Sequence, residues 1–319
     1  MKKQPITLII LIIAAFTSIN ALANMSCIKH MNEGLSLQTR ESTQALSKDR
    51  DLLRKIENHY QSALLMCPDM CNTHPNMCYN LGIVYQLQGK TDLAERQFQK
   101  ALAANPKMEN ANIHLARIYE QKNLQAIALA HYLNAIEIDP QNTKAMQQAK
   151  SIAMHHNCKG LGVSNNSVLS ETQLYNALAC TRIFERAKKR FGMSRAINVS
   201  PVDFWSIHFD TGSARLKKND HLKKVVRMML HNTDFKLMIN GHTDDVPVNR
   251  RLEVLPNQYC RDNQCLSEYR AISVKSYLMQ QGISGERLQT KGFADKRPYS
   301  PGQRNLNRRV EMVDLDYAQ

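Results

Sequence analysis

The chain has 319 residues, room for two domains of ordinary size, and a formal charge of +14. Beyond residue 23 it holds no apolar run long enough for a membrane-spanning helix, and no series of alternating strands of about ten residues that would make a membrane barrel. A basic chain that is exported, as its first residues lead one to expect, suits the anionic cell wall, acidic headgroups or a merely solvated surface, and nucleic acid, the standard alternative for a basic chain, is a poor partner for it.

Residues 1–23 read as a signal peptide. Lys2 and Lys3 form the positive start, Ile6 to Phe16 is an almost unbroken apolar run, and Ala21-Leu22-Ala23 has the small-residue cleavage pattern. The competing reading is an uncleaved anchor. A lipid-modified Cys27 would want leucine three residues earlier, where Asn24 stands, so the mature chain is expected to begin at Asn24 with no transmembrane segment. Residues 24–50 are an N-terminal segment. Eight cysteines in an exported chain predict disulfides. Cys260 and Cys265 share a polar loop and are expected to pair, as are Cys158 and Cys180. Cys27, Cys67, Cys71 and Cys78 make two further bonds of open connectivity. A metal centre on Cys67, Cys71, Cys78 and His74 is the sharper alternative, but the spacing lacks the C-x-x-C pair typical of structural zinc; neither metal nor cofactor is expected.

Residues 51–155 carry an internal repeat. Over 76–140 the period is 34: Leu81 maps onto Leu115, Gly82 onto Ala116, Tyr85 onto Tyr119, Ala94 onto Ala128, Phe98 onto Tyr132, Ala101 onto Ala135 and Pro106 onto Pro140. Small residues let paired helices approach, aromatics fill the groove between them, and the prolines close each unit. The pattern resembles the tetratricopeptide repeat. Tyr60, Ala63 and Pro68 match the second half of a preceding repeat, shifted by four residues around Cys71, and residues 143–155 look like a capping helix. The resemblance implies a helical solenoid that holds a protein or peptide on its concave face. A structural spacer is the alternative.

Residues 156–200 form a linker. Gly160, Gly162, Ser164, Asn165 and Asn166 predict a loop, and Glu171 to Arg190 a helix whose basic end suits the helix dipole. The last domain, residues 201–319, alternates strand and helix signals. Trp205, Ile207 and Phe209 alternate as a strand; Leu222, Val225, Val226, Met229 and Leu230 recur at helical spacing; Phe235, Leu237 and Ile239 alternate again. A helix over about 263–281 and strands near 287–292 and 308–315 complete a βαβαββ α/β sandwich with helices on one face.

Four signals stand in order within it: Phe209-Asp210, Gly241-His242-Thr243-Asp244, Leu266-Ser267-Glu268-Tyr269-Arg270-Ala271 and Asn307-Arg308-Arg309-Val310-Glu311. Together they closely resemble the OmpA-like peptidoglycan-binding domain over roughly residues 200–316. The resemblance implies binding to the meso-diaminopimelate stem, whose side chain ends in an ammonium and a carboxylate. Asp244 takes the aspartate role and Arg270 the arginine role, since a planar guanidinium can grip a carboxylate with two parallel bonds. Phe209, Asp210, Thr243, Asn263 and Leu266 match positions lining the family's groove. Were Asp244 and Arg270 at a groove rim, alanine at either would change stability by less than about 1 kcal/mol. The Asn307-Arg308-Arg309 run is expected to pin the last strand rather than bind ligand. The stretch 245–262 is longer than usual in the family, and Asp245-Val246-Pro247 resembles its MotB branch. No nucleophile–base set stands out, His242 included. The expected function is a non-enzymatic adaptor in the Gram-negative periplasm, wall-associated and peripheral to the outer membrane. A spacer without a repeat ligand and a wall-modifying enzyme are the alternatives.

Overall fold

A computed structural model describes residues 25–156, 158, 170–193, 202–204, 207, 209–217, 220–299 and 302–317. The expected signal peptide, the linker glycines and Trp205 lie outside the described residues. The chain falls into two compact units, one within residues 1–122 and 131–146, the other within 123–130 and 147–319.

The first unit is helical. Helix α1 covers 25–39 and is followed by α2 (Thr43–Leu46), α3 (Arg50–Met66), α4 (Met70–Thr73), α5 (Pro75–Leu87), α6 (Thr91–Ala104) and α7 (Glu109–Gln121). Helices α8 (Gln125–Ile138) and α9 (Thr143–His155) each give residues to both units. The positions that repeat at 34 are the packed ones: Leu81, Tyr85, Ala94, Phe98 and Ala101 are buried, and so are Leu115, Tyr119, Ala128, Tyr132 and Ala135. At Gly82 a Cβ would lie 2.6 Å from the Phe98 ring, so only glycine lets α5 and α6 approach this closely. Helix α1 packs on α3 by the same device. A Cβ at Gly34 would lie 2.9 Å from the Tyr60 ring, and Tyr60 Oη donates to Gln38 Oε1 at 2.7 Å. The segment before residue 50 therefore supplies a partner helix for the incomplete repeat expected there. The extra residues around Cys71 form α4, which the Cys71–Cys78 bond ties to α5, while Cys27–Cys67 ties α1 to the end of α3.

In the second unit the stretch 171–190, expected as one helix, is two: α10 (Glu171–Leu178) and α11 (Cys180–Phe191). A capping box of Ser170 and Gln173 starts α10, and Gly192, with φ 63°, ends α11. Cys180, just past the break, is bonded to Cys158. Then come β1 (Val202–Phe204), α12 (Asp220–His231), β2 (Leu237–Gly241), β3 (Leu252–Leu255), β4 (Gln258–Cys260), α13 (Asn263–Gln280), β5 (Leu288–Gly292), α14 (Arg304–Asn307) and β6 (Val310–Asp314). The sheet order is β1-β6-β2-β5; β2 and β5 run parallel, and β6 is antiparallel to β1 and β2. The expected βαβαββ order is present. The first strand comes earlier than the 205–209 alternation suggested, at Val202–Phe204, with Ile207 and Phe209 buried after it. The long stretch 245–262 adds the separate β3–β4 hairpin, joined to the first turn of α13 by Cys260–Cys265.

Candidate functional site

Two glycines fix where the site stands. Gly241 and Gly292 are register partners at the ends of β2 and β5. A Cβ at Gly241 would lie 2.0 Å from Ser267 O, and one at Gly292 2.5 Å from Ser267 Oγ. Helix α13 thus rests directly on the strand ends at Ser267, which brings Arg270, one turn further on, over the residues that follow β2. Those residues are held from both sides: His242 N donates to Arg309 O at 3.0 Å and Thr243 N to Ala294 O at 2.8 Å.

Arg270 is 0% exposed. Its Nε donates to Ser213 O at 3.0 Å, Nη1 to His242 O at 2.9 Å and Nη2 to Asp210 O at 3.3 Å, and the guanidinium lies 5.2 Å from the Phe209 ring centre. Burial pushes its pKa down to about 10, against the opposing pull of Asp244, so it stays charged at neutral pH. Asp244 is 6% exposed. Its Oδ2 accepts from Arg308 Nη1 at 2.6 Å and its Oδ1 from Val246 N at 3.3 Å. Neither residue sits at a rim: the carbonyls of Asp210, Ser213 and His242 surround Arg270, and Arg308, Val246 and Asn263 stand around Asp244.

The other expected residues divide. Asn263 Nδ2 donates to Asp244 O at 3.3 Å and Val246 O at 3.1 Å, tying the chain after Asp244 to the start of α13. Among the described residues, Thr243 Oγ1 and Asn263 Oδ1 are buried without a hydrogen-bond partner. Phe209 lies under the Arg270 guanidinium. Asp210 gives Arg270 only its carbonyl; its exposed carboxylate pairs with Lys217 at 2.7 Å. Leu266 is buried with Ala214, Val254 and Cys260 in a small apolar cluster under the hairpin.

Sequence reasoning passed over Arg308. Arg309 does pin the last strand, pairing inside the domain with Glu311, but Arg308 turns to Asp244 and keeps 21% of its side chain exposed. The alternation of side chains at a strand entrance was the available signal, since neighbouring arginines there face opposite ways. His242 is a packing residue. It stacks 5.4 Å from the Phe293 ring centre, and burial pushes its imidazole down despite Glu311 at 3.3 Å. Burial pushes the Glu311 carboxyl up, and His242 and Arg309 more than offset it, so Glu311 stays ionised.

The model of the OmpA family matches residues 208–310, and tetratricopeptide-repeat models match residues 75–108 and 109–142. Residues 208–310 are an OmpA-family domain. It follows two tetratricopeptide repeats, and the pairing of Asp244, Arg270 and Arg308 lies within its bounds. Motility protein B of Bacillus subtilis is 28% identical over 117 residues, 34% of this chain and 42% of that protein. The peptidoglycan-associated lipoprotein of Buchnera aphidicola is 27% identical over 109 residues, 33% of this chain and 57% of that one. The chain therefore spans about half the length of these curated relatives. A MotB-like protein of Desulfovibrio vulgaris, known by crystal structure, is 24% identical with a TM-score of 0.31, covering 44% of this chain and 88% of that one. Among the described residues no helix is long and apolar enough to cross a membrane.

Proposed function

We propose that the chain is a non-enzymatic adaptor of the cell envelope, working in the periplasm. Its OmpA-family domain grips the peptide stem of peptidoglycan, and its repeats hold a protein partner. The observation that carries this reading is a buried carboxylate flanked by two guanidinium groups, beside polar atoms with unused bonding capacity. Asp244 Oδ1 meets only the Val246 N–H at 3.3 Å, and Thr243 Oγ1 and Asn263 Oδ1 have no partner among the described residues. A carboxylate offers about four lone-pair sites, so room remains for an ammonium. The ligand carboxylate falls to the more exposed Arg308, with Arg270, fully buried and with three of its five donors committed to carbonyls, adding its charge from behind. A ligand with an ammonium and a carboxylate on one carbon, the end of meso-diaminopimelate, matches that spread of charge.

Co-sedimentation of the purified chain with intact sacculi tests this. The parent should bind diaminopimelate-type sacculi and release no soluble muropeptides. Asp244→Asn, which keeps size and removes charge, and Arg308→Ala should each weaken binding roughly tenfold to a hundredfold. Sacculi with lysine in place of diaminopimelate lack the second carboxylate and should bind more weakly. Parent-like binding by Asp244→Asn overturns the stem assignment, and muropeptide release overturns the non-enzymatic one.

A further inference from the structure

Helices α1 and α3 bring together three side chains that the wall-binding reading does not use. His30 Nδ1 lies 3.3 Å from His59 Nδ1. Glu33 Oε2 lies 3.5 Å from His30 Nδ1 and 3.1 Å from His59 Nδ1. Two ligands bonded at about 2.0–2.1 Å to one tetrahedral ion stand about 3.3–3.4 Å apart. The triangle therefore already has the size of one face of a tetrahedral coordination shell. Both rings turn the same nitrogen toward one carboxylate oxygen; as neutral Nδ1–H tautomers they can both donate to it, but this sets two N–H groups side by side 3.3 Å apart. A divalent cation at the centre satisfies all three groups.

The triangle is also held in place. His30 and Glu33 are three residues apart on α1, one above the other on the same helix face. Cys27, just before them, is bonded to Cys67 beyond His59, closing α1 onto α3. Gly34 against the Tyr60 ring and the Tyr60–Gln38 hydrogen bond fix the crossing between these anchors. The side chains are 29%, 39% and 30% exposed for His30, Glu33 and His59, so an ion has a way in. Glu33 and His59 also line a cavity of about 750 Å³, together with Ile28, Asn32 and Leu37.

We propose that His30, Glu33 and His59 form a site for a divalent transition-metal ion of the zinc class, with its fourth position open to that cavity. Two imidazoles and one carboxylate suit zinc; magnesium and calcium want oxygen ligands throughout. The open position would be filled by water or by a donor atom of whatever the cavity receives. The triad rests on no part of the wall-binding assignment.

The test uses the untagged chain, stripped with a chelator and dialysed against zinc or cobalt(II). The parent should retain one zinc per chain by elemental mass spectrometry, and its cobalt form should show the intense visible bands of a four-coordinate ion. Zinc should shield His30 and His59 from diethyl pyrocarbonate, read by peptide mass spectrometry, which needs no variant. His30→Ala with His59→Ala should lose the ion while keeping the helical circular dichroism, and Glu33→Gln should bind at least roughly tenfold more weakly. His155→Ala, on the exposed end of α9, should bind as the parent does. A parent that takes up no zinc, or a double variant that binds it like the parent, overturns the proposal.

Discussion

Arg270 does two jobs at once. Its guanidinium supplies the buried donors for the carbonyls of Asp210, Ser213 and His242, and it is one of the cations facing Asp244. Removing the side chain strands the buried His242 carbonyl and takes the donor from the half-buried Ser213 carbonyl, while Asp210 O keeps Ser213 N at 3.0 Å. Each unsatisfied group costs about 1–3 kcal/mol, and partial relaxation keeps the sum below full additivity. We predict that Arg270→Ala loses roughly 3–5 kcal/mol in urea unfolding, and that Arg270→Lys, which keeps the charge without the planar fork, falls between it and the parent. A loss below about 1 kcal/mol would show that the 210–214 loop is held by other contacts. Binding lost by Arg270→Ala thus cannot be told from unfolding, which is why Asp244 and Arg308 are the informative positions. Arg308 is partly in water but Asp244 is buried, so Arg308→Ala leaves that carboxylate short of its closest partner and should cost about 1–3 kcal/mol, less than Arg270→Ala.

At the scale of elements, the contact of α13 with β2 rests on Gly241. With a Cβ placed 2.0 Å from Ser267 O, a backbone atom, helix or strand must move. We predict that Gly241→Ala costs more than about 3 kcal/mol. Gly285→Ala, whose added methyl would meet only the flexible end of Met279, should stay within about 0.5 kcal/mol. Equal unfolding midpoints for the two variants would contradict this account of the crossing. The β3–β4 hairpin acts on the site through the same loop: Ala214 N donates to Val254 O at 3.0 Å, and Gly212 lies against Leu252. In the repeats, His114 stacks on Phe98 and its Nδ1 donates to Gln86 Oε1 at 2.7 Å, and His131 stacks on Tyr119 beside Asn112. Burial pushes both imidazoles from 6.5 down to about 4. Between those values the unfolded chain binds more protons, so the repeats lose stability as the pH falls from about 6.5 to about 4, by about 3 kcal/mol per ring. The unfolding midpoint should fall over that window, and less steeply in His131→Phe; identical pH slopes for variant and parent would refute the assignment.

Across the whole molecule the disulfides differ in what they hold. Cys27–Cys67 closes 40 residues and Cys260–Cys265 only 5. On the chain-entropy account, removing the first costs about 4 kcal/mol and the second about 2. We predict that ordering for the paired alanine variants. The reverse ordering, measured by urea unfolding, would mean that strain or residual structure outweighs loop length.

The features legible without coordinates are those written in local pattern. The period of 34 is visible because each repeat buries the same helix face, so Leu81 and Leu115, or Tyr85 and Tyr119, recur as one set. The βαβαββ order is visible because strand alternation and helical spacing are properties of neighbouring residues, and the four motifs of the OmpA-family domain stand within them. Even there the alternation at 205–209 misplaced the first strand, which lies at Val202–Phe204, since a short alternating pattern does not by itself mark where pairing begins and ends. Packing alone decided the rest. It put Arg270 under the carbonyls of residues 210 and 213, set Arg308 on Asp244 across 64 positions, and closed His30 and Glu33 on His59 through two helices. Such meetings depend on how distant elements cross, and the crossings hang on single small residues such as Gly34 and Gly241, whose meaning appears only when the facing ring or carbonyl is in place.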